Sequence, residues 1–254
     1  MSLWMSLTWV LSEKIHNAGV VDLAWTFGFL PIILIAYHCF NSDAPERKNL
    51  IADMYGFWSL RLTVHLTHRF MRDVSAEDVR YKQFRARFSG HESAFFFWFF
   101  QLQGVIIPLL CLPLFLAFAN DQPGIKTVEW AGVAVWALAW IGESYADRTL
   151  RLFKADPTNK GKVCRNGLWK YSRHPNYFFE WLIWCGFFLF ALGSAWGWTA
   201  ISAPLLMFYI LVKVTGIPEL EKQSLISKGQ AYADYQNEVS AFVPFLRRKK
   251  QLES

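Results

Sequence analysis

A chain of 254 residues that is 54% hydrophobic, with 13 Trp and 23 Phe, carries more apolar and aromatic surface than a soluble domain of that length needs. Its formal charge of +6 is gathered into a few short segments, and no nucleic-acid-binding motif accompanies it, which argues against nucleic acid as the partner. Four cysteines without paired spacing (Cys39, Cys111, Cys164, Cys185) indicate neither a disulfide framework nor a zinc site.

Residues 1–11 are apolar but short, a tilted or partial first helix; without an early Lys or Arg, or a small-residue cleavage site before Glu13, a removed signal peptide is not expected. Residues 20–40 form the first run long enough to cross roughly 30 Å of hydrocarbon. Asp22 lies at its start, either as a helix cap or as part of a pocket. The next run, 51–70, is more amphipathic: Tyr55, Trp58, Leu62, His65 and Arg69 share a stripe with Arg61 on its flank. Arg61 could snorkel, but a His and an Arg this deep in an apolar stretch are better explained by a water-filled pocket for an anion. Beyond it, Glu77-Asp78-Val79-Arg80-Tyr81 and Arg85 supply further donors and acceptors.

Two more apolar runs follow at 95–119 and 128–145. At the end of the second, Glu143, Asp147, Arg151 and Lys154 are four, four and three residues apart, so they share a helix face, as a groove lining or as a ladder of exposed ion pairs. Asp156-Pro157-Thr158-Asn159-Lys160-Gly161 has the chemistry of a turn that stops that helix. Pro175 suits the first turn of a new helix, which sets Asn176, Glu180 and Trp184 on one face of the run 177–193. A carboxylate entering a membrane there needs a polar site around it; Arg173 and His174, just outside, read equally well as interfacial anchors. After a last apolar run at 198–214, residues 219–235 are expected to form one polar helix under the bundle, leading into Phe242-Val243-Pro244-Phe245.

Lys and Arg in short loops set the orientation. Residues 68–92 hold six and residues 147–175 hold eight, whereas 120–127 hold only Lys126 and 193–197 none. The expectation is an all-α polytopic membrane helix bundle of six to seven transmembrane helices, N-terminus outside and C-terminus cytoplasmic. It is read as a single domain, 1–254, with cytoplasmic loops 70–93 and 147–175 and a cytoplasmic tail 216–254 ending Arg247-Arg248-Lys249-Lys250. There is no glycine-rich dinucleotide fingerprint, Walker loop or nucleophile elbow, so an anionic cofactor would be held by side chains between helices.

Val21-Asp22-Leu23-Ala24-Trp25, Trp58-x-x-Arg61-Leu62, Glu77-Asp78-x-Arg80-Tyr81-x-x-x-Arg85, Gln101-Leu102-Gln103-Gly104 and Arg173-His174-Pro175-Asn176-Tyr177-x-x-Glu180 together resemble the membrane-embedded steroid 5α-reductase family, in its prokaryotic-type branch, over nearly the whole chain. The resemblance implies a monomeric multi-pass reductase of the bacterial inner membrane. It would bind NADPH from the cytoplasmic side and reduce the carbon–carbon double bond of an α,β-unsaturated ketone, such as a 3-oxo-4-ene steroid, taken from the bilayer lipids. It implies cofactor contacts from Arg61, His65, Arg69, Asp78, Arg80 and Tyr81, and from Asp147, Arg151, Lys154, Lys162, Tyr171, Arg173, Asn176, Glu180 and Tyr235, all directed to one cytoplasm-facing pocket. Trp25, Trp58 and Gln103 would touch substrate, and no metal is implied. Hydride delivery pushes charge onto the ketone oxygen, which needs a donor. Asp22 stands where the family's Glu falls, and Trp58 where its Tyr falls, with Tyr55 one turn away. A protonated Asp22 and Tyr55 are therefore the expected catalytic donors.

A membrane methyltransferase of the isoprenylcysteine or phospholipid type, using S-adenosylmethionine, is also similar at Arg173-His174-Pro175-x-Tyr177, Gly186 and the tail from Glu221-x-x-x-Leu225 to Tyr235. Asn176, Glu180, Asp22 and the segment 77–85 favour the reductase. A small transporter would call for pseudo-symmetric halves, which the sequence lacks.

Overall fold

The computed structural model describes residues 1–41, 44–214 and 216–244; Phe245 and the basic run Arg247-Arg248-Lys249-Lys250 lie outside the described residues. The chain is all-α, 77% helical, with no strand among the described residues. Three helical stretches are long and apolar enough to cross a membrane, Val20–Cys39, Glu92–Phe118 and Gly197–Lys228, which is the signature of a membrane protein. They coincide with three of the runs read from hydropathy.

The first stretch is α2 (Val20–Phe27) and α3 (Phe29–Cys39), which follow α1 (Ser2–Ile15). Gly28 joins them with right-handed helical backbone, and a Cβ there would sit 2.9 Å from the Ile107 side chain. α4 (Pro45–Phe70) starts with proline in its first turn, where the missing N–H costs nothing. α5 (Val79–Arg87) is a short polar helix. The second stretch is α6 (Glu92–Leu110) and α7 (Leu112–Phe118), with Pro108 and Pro113 beside their junction at Cys111. α8 (Thr127–Ala155) is 29 residues long, but Glu129 and Glu143 interrupt its apolar run. α9 (Pro175–Ala191) begins at Pro175 as its chemistry requires. α10 (Ser202–Tyr209) passes into a π-helical turn, Ile210–Val214.

The expected single helix at 219–235 is instead two, α11 (Ile217–Lys228) and α12 (Gln230–Glu238). Gly229 separates them at φ 54, ψ −133, a conformation that side-chain-bearing residues avoid. Helical periodicity continues across the break in the sequence, so only the glycine marks it.

The chain forms two compact units, Met1–Trp130 with Phe187–Ala203, and Ala131–Gly186 with the segment from Pro204 onward. In the first, α1 lies against α6 at Gly104, where a Cβ would meet Met5 Cγ at 2.9 Å. Ser2 Oγ donates to Gln101 Oε1 at 2.8 Å, and Gln101 Nε2 donates to Ser6 Oγ at 3.1 Å. The short N-terminal helix is thus an integral packing element. Beside it, Phe29, Tyr55, Trp58 and Phe187 are fully buried, with Tyr55 and Phe187 stacked at 3.8 Å.

In the second unit, α8 and α9 run antiparallel and touch through two glycines. A Cβ on Gly142 would lie 2.5 Å from the Phe179 ring, and one on Gly186 would lie 2.8 Å from the Trp136 backbone nitrogen. Backbone cannot swing aside as a side chain can. Gly186→Leu is therefore expected to cost on the order of 1–3 kcal/mol or more through overpacking, read as a lowered melting temperature in detergent; an unchanged melt would show that the helices separate there at no cost.

Candidate functional site

The first unit gathers a charged cluster around the start of α2. The sequence presents Asp22 as a cap or as a protonated acid. Its Oδ1 instead accepts from the Tyr81 hydroxyl at 2.6 Å, and its Oδ2 accepts from Arg80 at 2.9 Å. Asp22 is thus engaged by the two neighbouring side chains of α5, a phenol and a guanidinium. Asp78 caps α5 by accepting from the Arg80 N–H at 3.0 Å and also holds the Arg80 guanidinium at 3.0 Å. Arg69, more than half exposed, lies 3.7 Å from Asp22 and 3.5 Å from Asp78. Burial first, and then the Asp22 carboxylate, push the Tyr81 phenol well above its ordinary pKa, so it keeps its proton.

Glu77 anchors the neighbouring turn. It pairs with Arg85 at 2.9 Å and accepts the Ala18 N–H at 2.8 Å, while Asn17 donates to the Val74 carbonyl at 2.8 Å. The motif 77–85 therefore divides in two, since Glu77 and Arg85 pin the segment while Asp78, Arg80 and Tyr81 surround Asp22.

Tyr55 is elsewhere. It is fully buried, and its hydroxyl donates to the Leu110 carbonyl at 2.9 Å. That bond ties α4 to the end of α6 and directs the hydroxyl to backbone within the packed interior. Trp25 and Trp58 sit with Tyr55 in the aromatic core, Trp25 edge-on to Phe29 at 5.2 Å and Trp58 edge-on to Phe29 at 4.8 Å. The Trp25 indole N–H is buried without a hydrogen-bond partner. Gln103 is half-buried, and it is Gln101 that bonds α1. Arg61 and His65 are half-buried one turn apart on α4.

The second unit holds the remaining expected residues. Glu143, Asp147 and Glu180 are buried, and the Asn176 amide donates to Asp147 Oδ1 at 3.2 Å across the α8–α9 contact. One turn on, Trp184 Nε1 donates to Glu180 Oε1 at 2.9 Å, as their shared helix face requires. Arg151, Lys154 and Lys162 are exposed at the polar end of α8 and in the turn beyond it, and Tyr171 is half-buried. Asp156 stops α8 by accepting from the Thr158 N–H at 2.9 Å.

Arg173 and Tyr235 are engaged otherwise than in the dinucleotide contact expected of them. Arg173 is buried; its Nε donates to Glu221 at 2.6 Å, and its Nη1 donates to the Gln236 carbonyl at 2.9 Å and to the Val239 carbonyl. His174 lies 3.3 Å from the same Glu221, and burial pulls its imidazole below the ordinary pKa in spite of that carboxylate. The Tyr235 hydroxyl donates to the Trp169 and Ser172 carbonyls, and burial raises its pKa. Residues 172–174 thus bind α11 and α12 and the segment after them, with Arg173 N–H donating to the Ser240 carbonyl at 2.9 Å. On α11, Glu219 Oε2 and Gln223 Nε2 are buried without hydrogen-bond partners, an acceptor and a donor one turn apart.

Sequence reasoning passed over a further buried pair. Arg47 and Glu129, both fully buried, meet at 2.5 Å. The visible signals were Glu129 inside an apolar run and a polar turn at 120–124 that needed partners.

The family model described as "Protein of unknown function (DUF1295)" matches residues 8–239. An uncharacterized protein of fission yeast, Schizosaccharomyces pombe, is 26% identical over 270 residues, covering 95% of this chain and 76% of that protein. A second uncharacterized protein of the same yeast is 33% identical over 117 residues, covering 39% of this chain and 42% of its own length. No solved structure matches. Both relatives are eukaryotic, so they lend no support to a bacterial inner membrane.

Proposed function

This chain belongs to the DUF1295 family, which includes steroid 5α-reductase-like membrane proteins, and we propose that it is a multi-pass membrane reductase. Its reaction is the NADPH-dependent reduction of the carbon–carbon double bond of an α,β-unsaturated ketone lipid, a 3-oxo-4-ene steroid being the model substrate. In this reading α1, α4, α8 and α9 join the three long apolar stretches as spans, seven in all, with the basic segments 70–93 and 147–175 on the cytoplasmic face.

The observation that carries the reading is the Tyr81–Asp22–Arg80 cluster: a protonated phenol held 2.6 Å from a carboxylate that a guanidinium keeps paired at 2.9 Å. A ketone oxygen arriving beside Tyr81 takes over the phenol hydrogen bond, and charge developing on that oxygen is met by the same donor. When bound, NADPH supplies the hydride to the β-carbon. The residues of the second unit fit such a cofactor in kind. Exposed Arg151, Lys154 and Lys162 offer cations for phosphates. Asn176 with Asp147, and the unpartnered Glu219 and Gln223 atoms, offer the donor and acceptor pairs that an amide or a purine edge requires.

One observation favours a second reading, an S-adenosylmethionine-dependent methyltransferase: the two segments that resemble those enzymes meet, as Arg173 and His174 both contact Glu221. Ligand-induced stabilisation separates the two. At a hundredfold excess over its dissociation constant a ligand adds about 2.7 kcal/mol to folding, a readily measured thermal shift. The shift is expected with NADPH, smaller with NADH and absent with S-adenosylmethionine; a shift with S-adenosylmethionine alone would transfer the assignment to the methyltransferase.

A further inference from the structure

In the second unit two helices each carry a lysine in their last turn, Lys154 in α8 and Lys228 in α11, and the two lysines meet. The Lys228 ammonium lies 5.4 Å over the Tyr232 ring. Tyr232 belongs to a buried cluster with Tyr235 and Val239, and Val163 packs against that cluster, which brings the buried Cys164 to the same spot. Burial raises the Cys164 thiol above its ordinary pKa, while Lys154 and Lys228 both pull it down, so the three groups share one small volume. The two ammonium groups also repel each other.

A lysine in a last helical turn is ordinary, since it faces the negative end of the dipole. Two that converge are not, because bringing like charges together in a half-buried place costs free energy unless a counter-charge joins them. The chain does not supply that counter-charge to Lys228, which is half-buried. The carboxylates of the surrounding elements are engaged elsewhere: Asp156 with Thr158, Glu221 with Arg173 and His174, Asp234 with Gln230, and Glu238 with Arg165. Among the described residues Lys228 has no carboxylate within ion-pair distance. Lys154 is exposed, so the pair opens to solvent.

We infer that Lys154 and Lys228 together hold a phosphate monoester. Its charge selects it: a monoester carries about −1.5 to −2 at neutral pH, enough to meet two ammonium groups. A diester, as in a pyrophosphate link or a common phospholipid headgroup, brings a single charge on each phosphorus. The identity of the ligand rests on the reductase reading, in which the monoester is the 2′-phosphate of NADPH and the lysine pair is what tells NADPH from NADH.

The test measures binding to the full chain in detergent by thermal shift, with NADPH, NADH, 2′-AMP and inorganic phosphate as ligands. Wild type is expected to prefer NADPH to NADH. In Lys228→Gln the affinity for NADPH should fall about tenfold or more, the effect of losing a charge-assisted hydrogen bond, while that for NADH holds; Lys228→Arg keeps the charge and should keep most of the preference. Without ligand, Lys228→Gln should melt no lower than wild type, because it relieves a repulsion. A lower melt would mean that the fold itself uses this charge, and would overturn the inference. So would an NADPH preference that is the same in wild type and Lys228→Gln, a result that leaves the reductase reading standing. If neither dinucleotide stabilises wild type, the reductase reading falls. The phosphate site then stands if 2′-AMP or inorganic phosphate gives a shift that Lys228→Gln abolishes, and falls if neither does.

Discussion

Tyr81→Phe is expected to lower enone turnover by about 10²–10³-fold while leaving the NADPH-induced thermal shift in place. The substitution removes one hydroxyl and keeps the ring, which packs edge-on against Phe96 at 6.3 Å and Phe99 at 6.2 Å. Asp22 loses its 2.6 Å hydrogen bond but keeps Arg80 at 2.9 Å, so no carboxylate is left unpaired. The stability cost should stay near that of one hydrogen bond to a charged group, about 1.5–3 kcal/mol. A donor that acts on developing charge lowers kcat and leaves KM nearly unchanged; one that merely positions substrate raises KM. Turnover within about threefold of wild type, against the factor of 10²–10³ that a lost oxyanion donor costs, would remove Tyr81 from the chemistry. Asp22→Asn then asks a different question. It keeps an acceptor for the phenol but deprives Arg80 of its counter-charge, and a loss as large as that of Tyr81→Phe would make the pair the functional unit.

The sequence carried the outline of this cluster but not the division of roles within it. Asp22, Asp78, Arg80 and Tyr81 all stood out in the sequence, because polar groups beside apolar runs are conspicuous, and the structure brings them together. Which of them donates depends on what each side chain faces, and that follows from how α2, α4 and α5 meet. Tyr55 illustrates the limit. Its place on the α4 stripe suggested a donor aimed at substrate, whereas the partner that defines it, the Leu110 carbonyl, is 55 residues away in the chain. Arg173 and Tyr235 differ from expectation for the same reason: they bond backbone carbonyls, which no side-chain motif records. Helix starts and stops that rest on local chemistry, such as Pro175 and the turn at Asp156, were readable in full.

Arg47→Met is expected to destabilise the chain by roughly 3–5 kcal/mol, with a fall in melting temperature on the order of 10 °C. All five of its N–H groups are engaged. Nε donates to Glu129 Oε1 at 2.5 Å and Nη2 to Glu129 Oε2 at 3.2 Å. Nη1 donates to the Asn120 carbonyl at 3.1 Å and the Gln122 carbonyl at 2.5 Å, and Nη2 to the Gly124 carbonyl at 2.5 Å. Methionine removes every one of these donors and leaves a fully buried carboxylate to which the Lys126 N–H, at 2.6 Å, still donates. Because a buried ion pair costs desolvation of both partners, its worth is tested by restoring neutrality. The double variant Arg47→Met, Glu129→Gln should recover part of the loss by discharging the carboxylate, though not the part due to the three carbonyls. Arg47→Lys keeps the charge but supplies three donors from one point where five from a planar fork are used, and it should fall between wild type and methionine. If Arg47→Lys melts with wild type, charge alone holds the turn; if Arg47→Met does so, the buried pair contributes nothing to the fold.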